Sequence, residues 1–306
     1  MLYEFIEELR FELCKKEIDD IEDVLSYFEE MIKDRMENGE DIEAILADLG
    51  DPKHIADSLF GDQSEVREPE KKMESALERM TFTDVKEIIT ETVSYNFAFK
   101  AAHGKEVVLE YDSDEYSTLK SELHHGKLKI EQEFKYNGLD SLRALFSRFS
   151  SKGKKRAYTA TLYIPTDARL DFDIENVSGD LSFSDLRNGK LDLDNVSGDL
   201  RFDFCVFEKA DLESVSGDIN MSDTAFEREI SIDLVSGDLK MDRSSCPEID
   251  IDTVSGDIDL LLNEKRSNTS VSISGLHKNT KYKTDGNASL KIDTVSGKVN
   301  YAFIDD

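Results

Sequence analysis

Residues 171–183 read DFDIENVSGDLSF, residues 190–202 read KLDLDNVSGDLRF, and residues 209–221 read KADLESVSGDINM. The VSGD tetrad starts at Val177, Val196, Val215, Val235 and Val254, and a sixth form, VSGK, starts at Val295. The spacings are 19, 19, 20, 19 and 41 residues. A fixed period near twenty predicts a solenoid-like array in which each repeat is one coil stacked on the next. The columns around the tetrad support this. Ile174, Leu193, Leu212, Ile232, Ile251 and Ile292 stand three residues before each valine. Leu181, Leu200, Ile219, Leu239, Ile258 and Val299 stand four after it. Strands about 4.8 Å apart would bury such columns as continuous apolar ladders.

The tetrad itself predicts a corner. Gly179, Gly198, Gly217, Gly237, Gly256 and Gly297 permit positive φ or close backbone approach. The valines are expected to point inward. Asp180, Asp199, Asp218, Asp238 and Asp257 are expected to bind amides of their own arc, with a calcium ladder as the alternative. A second acidic column, Glu175, Asp194, Glu213, Asp233 and Asp252, precedes the corner and reads as a solvated face. The 41-residue gap is expected to hold a degenerate coil or a hairpin.

Upstream, period-two alternation at Val107, Leu109 and Tyr111, at Leu128 and Ile130, and from Tyr158 to Ile164 predicts further strands. His124-His125-Gly126-Lys127 reads as a turn between two of them. Residues 1–60 are different: Phe5, Ile6, Leu9 and Leu13 recur at helical spacing, as do Ile21, Val24, Leu25, Phe28 and Ile32. Gly39 and Gly50 end predicted helices, and Asp51-Pro52 opens another as N-cap and first-turn proline. Residues 61–80 are polar and read as a linker, with helix allowed from Glu70 to Met80. The expected fold class is therefore α+β multidomain: a small N-terminal helical module (1–60), a linker (61–80) and an all-β solenoid-like repeat domain (81–306).

Composition narrows the function. The net charge is −29, which opposes binding to a phosphate backbone, so no direct nucleic acid binding is expected. Three scattered cysteines form no disulfide framework, and the five histidines form no metal-ligand pattern. The serines Ser178, Ser197, Ser216, Ser236, Ser255 and Ser296 repeat in every coil, whereas a nucleophile is normally singular. No enzyme, cofactor or metal is expected. The acidic start of the chain lacks the form of a signal peptide, and no apolar run would span a membrane. The expected location is cytoplasmic, with association to the membrane or cell envelope allowed.

One stretch breaks the acidity. In LDSLRALFSRFSSKGKKR, residues 139–156, Arg143, Arg148, Lys152, Lys154, Lys155 and Arg156 are basic and no acid follows Asp140. Leu139, Leu142, Leu145, Phe146 and Phe149 share one helical face. The segment reads as a helix packed on the β domain, an interfacial helix with weak anionic-membrane contact, or a docking site for the helical module.

Two resemblances follow from these motifs. FIEELR, the acidic helix leading to MENGED, and LADLGDPKHIA resemble the HAAS signalling domain across nearly all of residues 1–60. That resemblance implies a bacterial module and a protein partner, such as a PadR-like winged-helix transcription regulator. TLYIPTDARLDFDIENVSGDL, with Pro165 ahead of the repeats, resembles the toastrack-type β-strand repeat family, also called the putative-adhesin family, from residue 85 to about 304. It implies a role in envelope stress. Together they imply a non-catalytic signalling or envelope-stress accessory protein, with the helical module for partner binding and the β domain as scaffold or sensor; the alternative is a cell-surface binding protein or adhesin.

Overall fold

The structure is a computed structural model. It describes residues 2–15, 21, 24, 25, 28, 32, 33, 35, 36, 41–60, 76–113, 117–134, 158–275 and 280–304. The chain divides into two compact units. One runs over Met1–Ala76 with Asp112–Leu119 and Gln132–Ala157; the other holds Leu77–Tyr111, Lys120–Glu131 and Tyr158–Asp306.

The helical part contains α1 (Leu2–Cys14), α2 (Ile42–Leu49) and α3 (Pro52–Phe60). Its core joins Phe5, Ile6, Leu9 and Leu13 of α1 to Val24, Leu25, Phe28 and Ile32, and to Ile45, Leu49, Ile55 and Ala56. These are the apolar positions that helical periodicity selects. Gly50 takes φ 85° after α2, and its amide bonds the Leu46 carbonyl, ending the helix. Asp51 Oδ1 accepts from the amides of Lys53 and His54 at 2.9 and 3.2 Å, an N-cap on α3. The stop expected at Gly39 lies outside the described residues.

The strands form two sheets. The ten-stranded sheet runs β1 (Ala76–Phe82), β4 (Val107–Ser113), β7 (Tyr158–Pro165), β3 (Tyr95–Ala102), β9 (Leu181–Ser184), β11 (Leu200–Asp203), β13 (Ile219–Ser222), β15 (Leu239–Ser244), β17 (Ile258–Leu262), β21 (Val299–Phe303). The eleven-stranded sheet runs β19 (Thr280–Tyr282), β18 (Thr269–Gly275), β20 (Ala288–Thr294), β16 (Glu248–Thr253), β14 (Ala225–Leu234), β12 (Val206–Ser214), β10 (Lys190–Asn195), β8 (Asp171–Asn176), β2 (Glu87–Thr92), β6 (Lys127–Phe134), β5 (Ser117–His124). Each VSGD corner carries the chain from one sheet to the other. Successive coils pair in parallel: Leu193 sits between Ile174 and Leu212, and Phe202 between Phe183 and Met221. The core lies between the sheets. Phe99, Phe183 and Phe202 stack at centroid separations of 4.7 and 4.6 Å, and Phe172 and Phe207 meet them edge-on.

The array starts earlier than the tetrads indicate. Glu87–Thr92 pairs residue for residue with Asp171–Asn176, and Phe97 pairs with Leu181. Val93-Ser94-Tyr95-Asn96 is therefore a further copy of the corner, 84 residues upstream of VSGD at Val177. Strands β6 and β7 pair in parallel with β2 and β3, which adds one more strand to each sheet.

Three expectations need correction. First, the 41-residue gap holds no intervening coil, because β16 pairs directly with β20, and β17 with β21. The inserted chain instead adds β18 and the antiparallel β19 beyond β20, so the hairpin reading holds and sits at the end of the sheet. Second, helix is excluded from residue 76 on, since Ala76–Phe82 is an edge strand; residues 61–75 lie outside the described residues. Third, the valines do not point inward. Val215, Val235, Val254 and Val295 are about half exposed, and only Val177 is buried. The inward position is the residue before each valine: Asn176, Asn195, Ser214, Leu234 and Thr253 are all buried. Strand alternation reaches the corner without a break, so the pleat sends the next residue outward.

Candidate functional site

The corners form one edge of the β domain, and their chemistry is spent largely on one another. Gly179, Gly198, Gly217, Gly237, Gly256 and Gly297 all take φ between 111° and 130°. A Cβ on Gly217 would collide with the carbonyl of Gly198 in the coil below, so side chains are excluded by both φ and space. From Ser197 on, the serine hydroxyl reaches the valine carbonyl of the preceding coil: Ser197 to Val177 at 3.2 Å and Ser216 to Val196 at 3.2 Å, with Ser236, Ser255 and Ser296 alike. The repeated serines are structural.

The aspartates correct the expected geometry. Asp180, Asp199, Asp218 and Asp238 accept through Oδ1 from the amide of the next coil's aspartate, at 3.1, 3.0, 2.8 and 2.8 Å. They clamp coil to coil rather than capping their own arc. Asn96 begins the series, accepting from the Asp180 amide at 2.9 Å. Lys298 ends it, donating its amide to Asp257 and offering no carboxylate onward. Among the described residues no group of His, Cys, Asp or Glu is arranged to hold a metal ion.

Behind the corner runs a buried polar ladder that the tetrad pattern does not reveal. Asn176 Nδ2 donates to the Gly179 carbonyl at 2.9 Å and to Asn195 Oδ1 at 2.8 Å; Asn195 repeats this with Gly198 and Ser214. The alternation of the strands already marked these positions as inward, and the small polar residue types at several of them were the available signal.

The outward face of the eleven-stranded sheet carries charge. Register sets Asp173, Asp192 and Asp211 side by side, and next to them Glu175, Asp194, Glu213, Asp233, Asp252 and Asp293. The first of these columns is also legible in the alternation DFDIE and LDLD, though the tetrad draws the eye to the second. Partial burial, then the charges of Asp192 and Asp211, push the Asp194 carboxyl above its usual range. The charge of Asp194, then burial, does the same to Glu213. Asp173, Glu175 and Asp233 are raised mainly by burial and then by neighbouring acids. Lysines stand at the two ends. Lys129 pairs with Glu131 and Glu91 at 2.6 and 2.8 Å, and Lys291 with Asp250 and Asp293 at 2.8 and 3.3 Å. Among the described residues no ion pair reaches Asp194, Asp211 or Glu213.

The thiols of Cys205 and Cys246 are pushed up to about 12 by burial, and neither is placed as a nucleophile. The basic candidates Arg143, Phe146, Arg148, Phe149, Lys152, Lys154, Lys155 and Arg156 lie outside the described residues. Among the described residues no helix is long and apolar enough to cross a membrane.

Comparison with known proteins agrees with this architecture. Residues 4–58 match the HAAS family model, and residues 85–303 match the model described as Toastrack DUF4097. No curated protein matches the chain. Solved structures that the chain matches include a "putative cell adhesion protein" from Clostridium sporogenes, 11% identical, covering 75% of this chain and 100% of that one, with TM-score 0.33. Another is a "Putative lipid binding protein" from Parabacteroides distasonis, 15% identical, covering 74% and 96%, with TM-score 0.41. A third is a "putative adhesin" from Parabacteroides merdae, 12% identical, covering 75% and 96%, with TM-score 0.36. With its match spanning well over half of the sequence, from the cryptic first coil to the last strand, the chain belongs to the Toastrack DUF4097 family.

Proposed function

We propose that this protein is a non-catalytic accessory protein of bacterial signalling or envelope stress, whose HAAS-type module engages a protein partner while the β domain serves as scaffold or sensor. One observation carries the reading. The residues that could do chemistry, the serines and aspartates of the corners, recur from coil to coil and are tied up in coil-to-coil hydrogen bonds. What the molecule offers instead is surface. On α1, Tyr3 and Phe11 are 76% and 60% exposed although the helix has a complete apolar core without them. Large exposed aromatics of this kind are the usual anchors of a protein contact. A PadR-like regulator is the partner the HAAS resemblance suggests.

The test is capture of partners by the full chain from its source cell, compared with Tyr3→Ser/Phe11→Ser. Retained thermal stability with lost capture of a regulator supports the reading. Undiminished capture, or multiple turnover of a small molecule by the purified chain, overturns it. Cell fractionation separates the accessory reading from a surface adhesin: recovery outside the cell favours the latter.

A further inference from the structure

On the outward face of the eleven-stranded sheet, β8, β10, β12 and β16 present acid, acid, valine in turn, while β14 and β20 carry Ser231 and Lys291 in place of the first acid. Asp192, Asp194 and Val196 follow one another at two-residue steps, as do Asp211, Glu213 and Val215 on the next coil. The valine ladder therefore flanks the carboxylate columns on one surface. Its near end, Val177, is buried, but Val215, Val235, Val254 and Val295 are 49%, 50%, 49% and 57% exposed. Folding does not account for this pairing, since the core is complete without the valines and the carboxylates repel one another. A surface that joins an apolar β-branched ladder to crowded acids, of which Asp250, Asp252 and Asp293 meet Lys291 while no ion pair among the described residues reaches Asp194, Asp211 or Glu213, fits a ligand that is at once cationic and amphipathic.

The chain itself carries such a segment. Residues 139–156 hold six basic residues with no acid after Asp140, and five large apolar residues at helical spacing. We propose that the acid-and-valine face binds the 139–156 segment of a second copy of this chain. Position favours a second copy over the segment's own chain. The segment joins β6 to β7, whereas the open valines lie on the coils of β12 to β20. That is four to seven strand spacings from β6, roughly 19–34 Å. Charge complementarity supplies long-range attraction, and the valine ladder supplies the contact that excludes water.

The experiment is sedimentation velocity of the full chain at about 20 mM and about 500 mM salt, where the screening length falls severalfold. Association at low salt that dissolves at high salt is expected. Two variants each remove one half of the contact: Asp194→Asn/Asp211→Asn/Glu213→Gln on the face, and Lys152→Ser/Lys154→Ser/Lys155→Ser/Arg156→Ser on the segment. Each alone should associate at least about tenfold more weakly. An equimolar mixture of the two should regain association, because each supplies the half the other lacks. Val215→Ser/Val235→Ser, which changes exposed positions, should weaken association with the melting temperature kept. The face variant is diagnostic in sign. A chain of net charge −29 repels its copies, so general repulsion predicts stronger association when acids are removed. A monomer at low salt, stronger association of the face variant, or a mixture that fails to recover would each overturn the proposal.

Discussion

Gly217 and Val215 sit two residues apart, and the structure assigns them opposite tolerances. Gly217 has φ 115° and lies against the Gly198 carbonyl. Gly217→Val should therefore cost at least about 3 kcal/mol, combining a strained φ with a backbone collision. Val215→Ser should shift stability by less than about 1 kcal/mol, since half of that side chain already meets water. Urea unfolding of both variants checks the pair; equal losses would refute the outward valine. Asn195 is a third case. Its amide satisfies Gly198 and Ser214, so Asn195→Ala leaves buried groups unpaired and should cost about 1–3 kcal/mol.

At the scale of elements, helix and strand boundaries follow from local chemistry where a cap or an alternation is present. Asp51 holds two amides at the start of α3, and Asp51→Ala should lower the stability of the helical unit by about 1 kcal/mol, read from its thermal melt. Local chemistry was a poorer guide where an element's role depends on its neighbour in space. Ala76–Phe82 carries helix-compatible residues, yet it is a strand because β4 offers it an edge. Val93-Ser94-Tyr95-Asn96 lacks the glycine that marks every other corner. Glycine is needed only where a coil approaches another such corner, and no tetrad precedes this one. Tyr95 instead stacks on Tyr158 at 5.1 Å.

For the molecule as a whole, the acidic face sets the response to pH. The carboxyls of Asp173, Glu175, Asp194, Glu213 and Asp233 lie above their ordinary values in the folded state. A raised carboxyl binds its proton more readily when folded, so its charged form costs stability at neutral pH. That cost is relieved as pH falls through the raised folded values. The β domain should therefore melt higher just above the ordinary carboxylate range than at about pH 7.5. Asp223 and Glu229, lowered by Arg243 and Lys209, act in the opposite sense and take over at more acidic pH. Thermal melts across this range test it. A melting temperature that falls steadily from neutral pH would contradict the crowding, and Asp194→Asn should flatten the rise.

The class of fold, the helical core and the stacking of the coils are legible in the residues alone. Each of these depends on a period, of 3.6, of two or of about twenty, that residues repeat often enough to be read locally. The corners themselves are also marked in the sequence by glycine and aspartate at fixed offsets, although the aspartates' partners are not. Which carboxylate clamps which amide, that the valines face out, and that β2 and β3 stack on β8 and β9 at an offset of 84 residues between corners are settled by the packing of distant coils. Those are statements about which coil lies against which. The stacking order comes from pairing between strands distant in sequence, and no periodicity within one strand encodes its neighbour's identity.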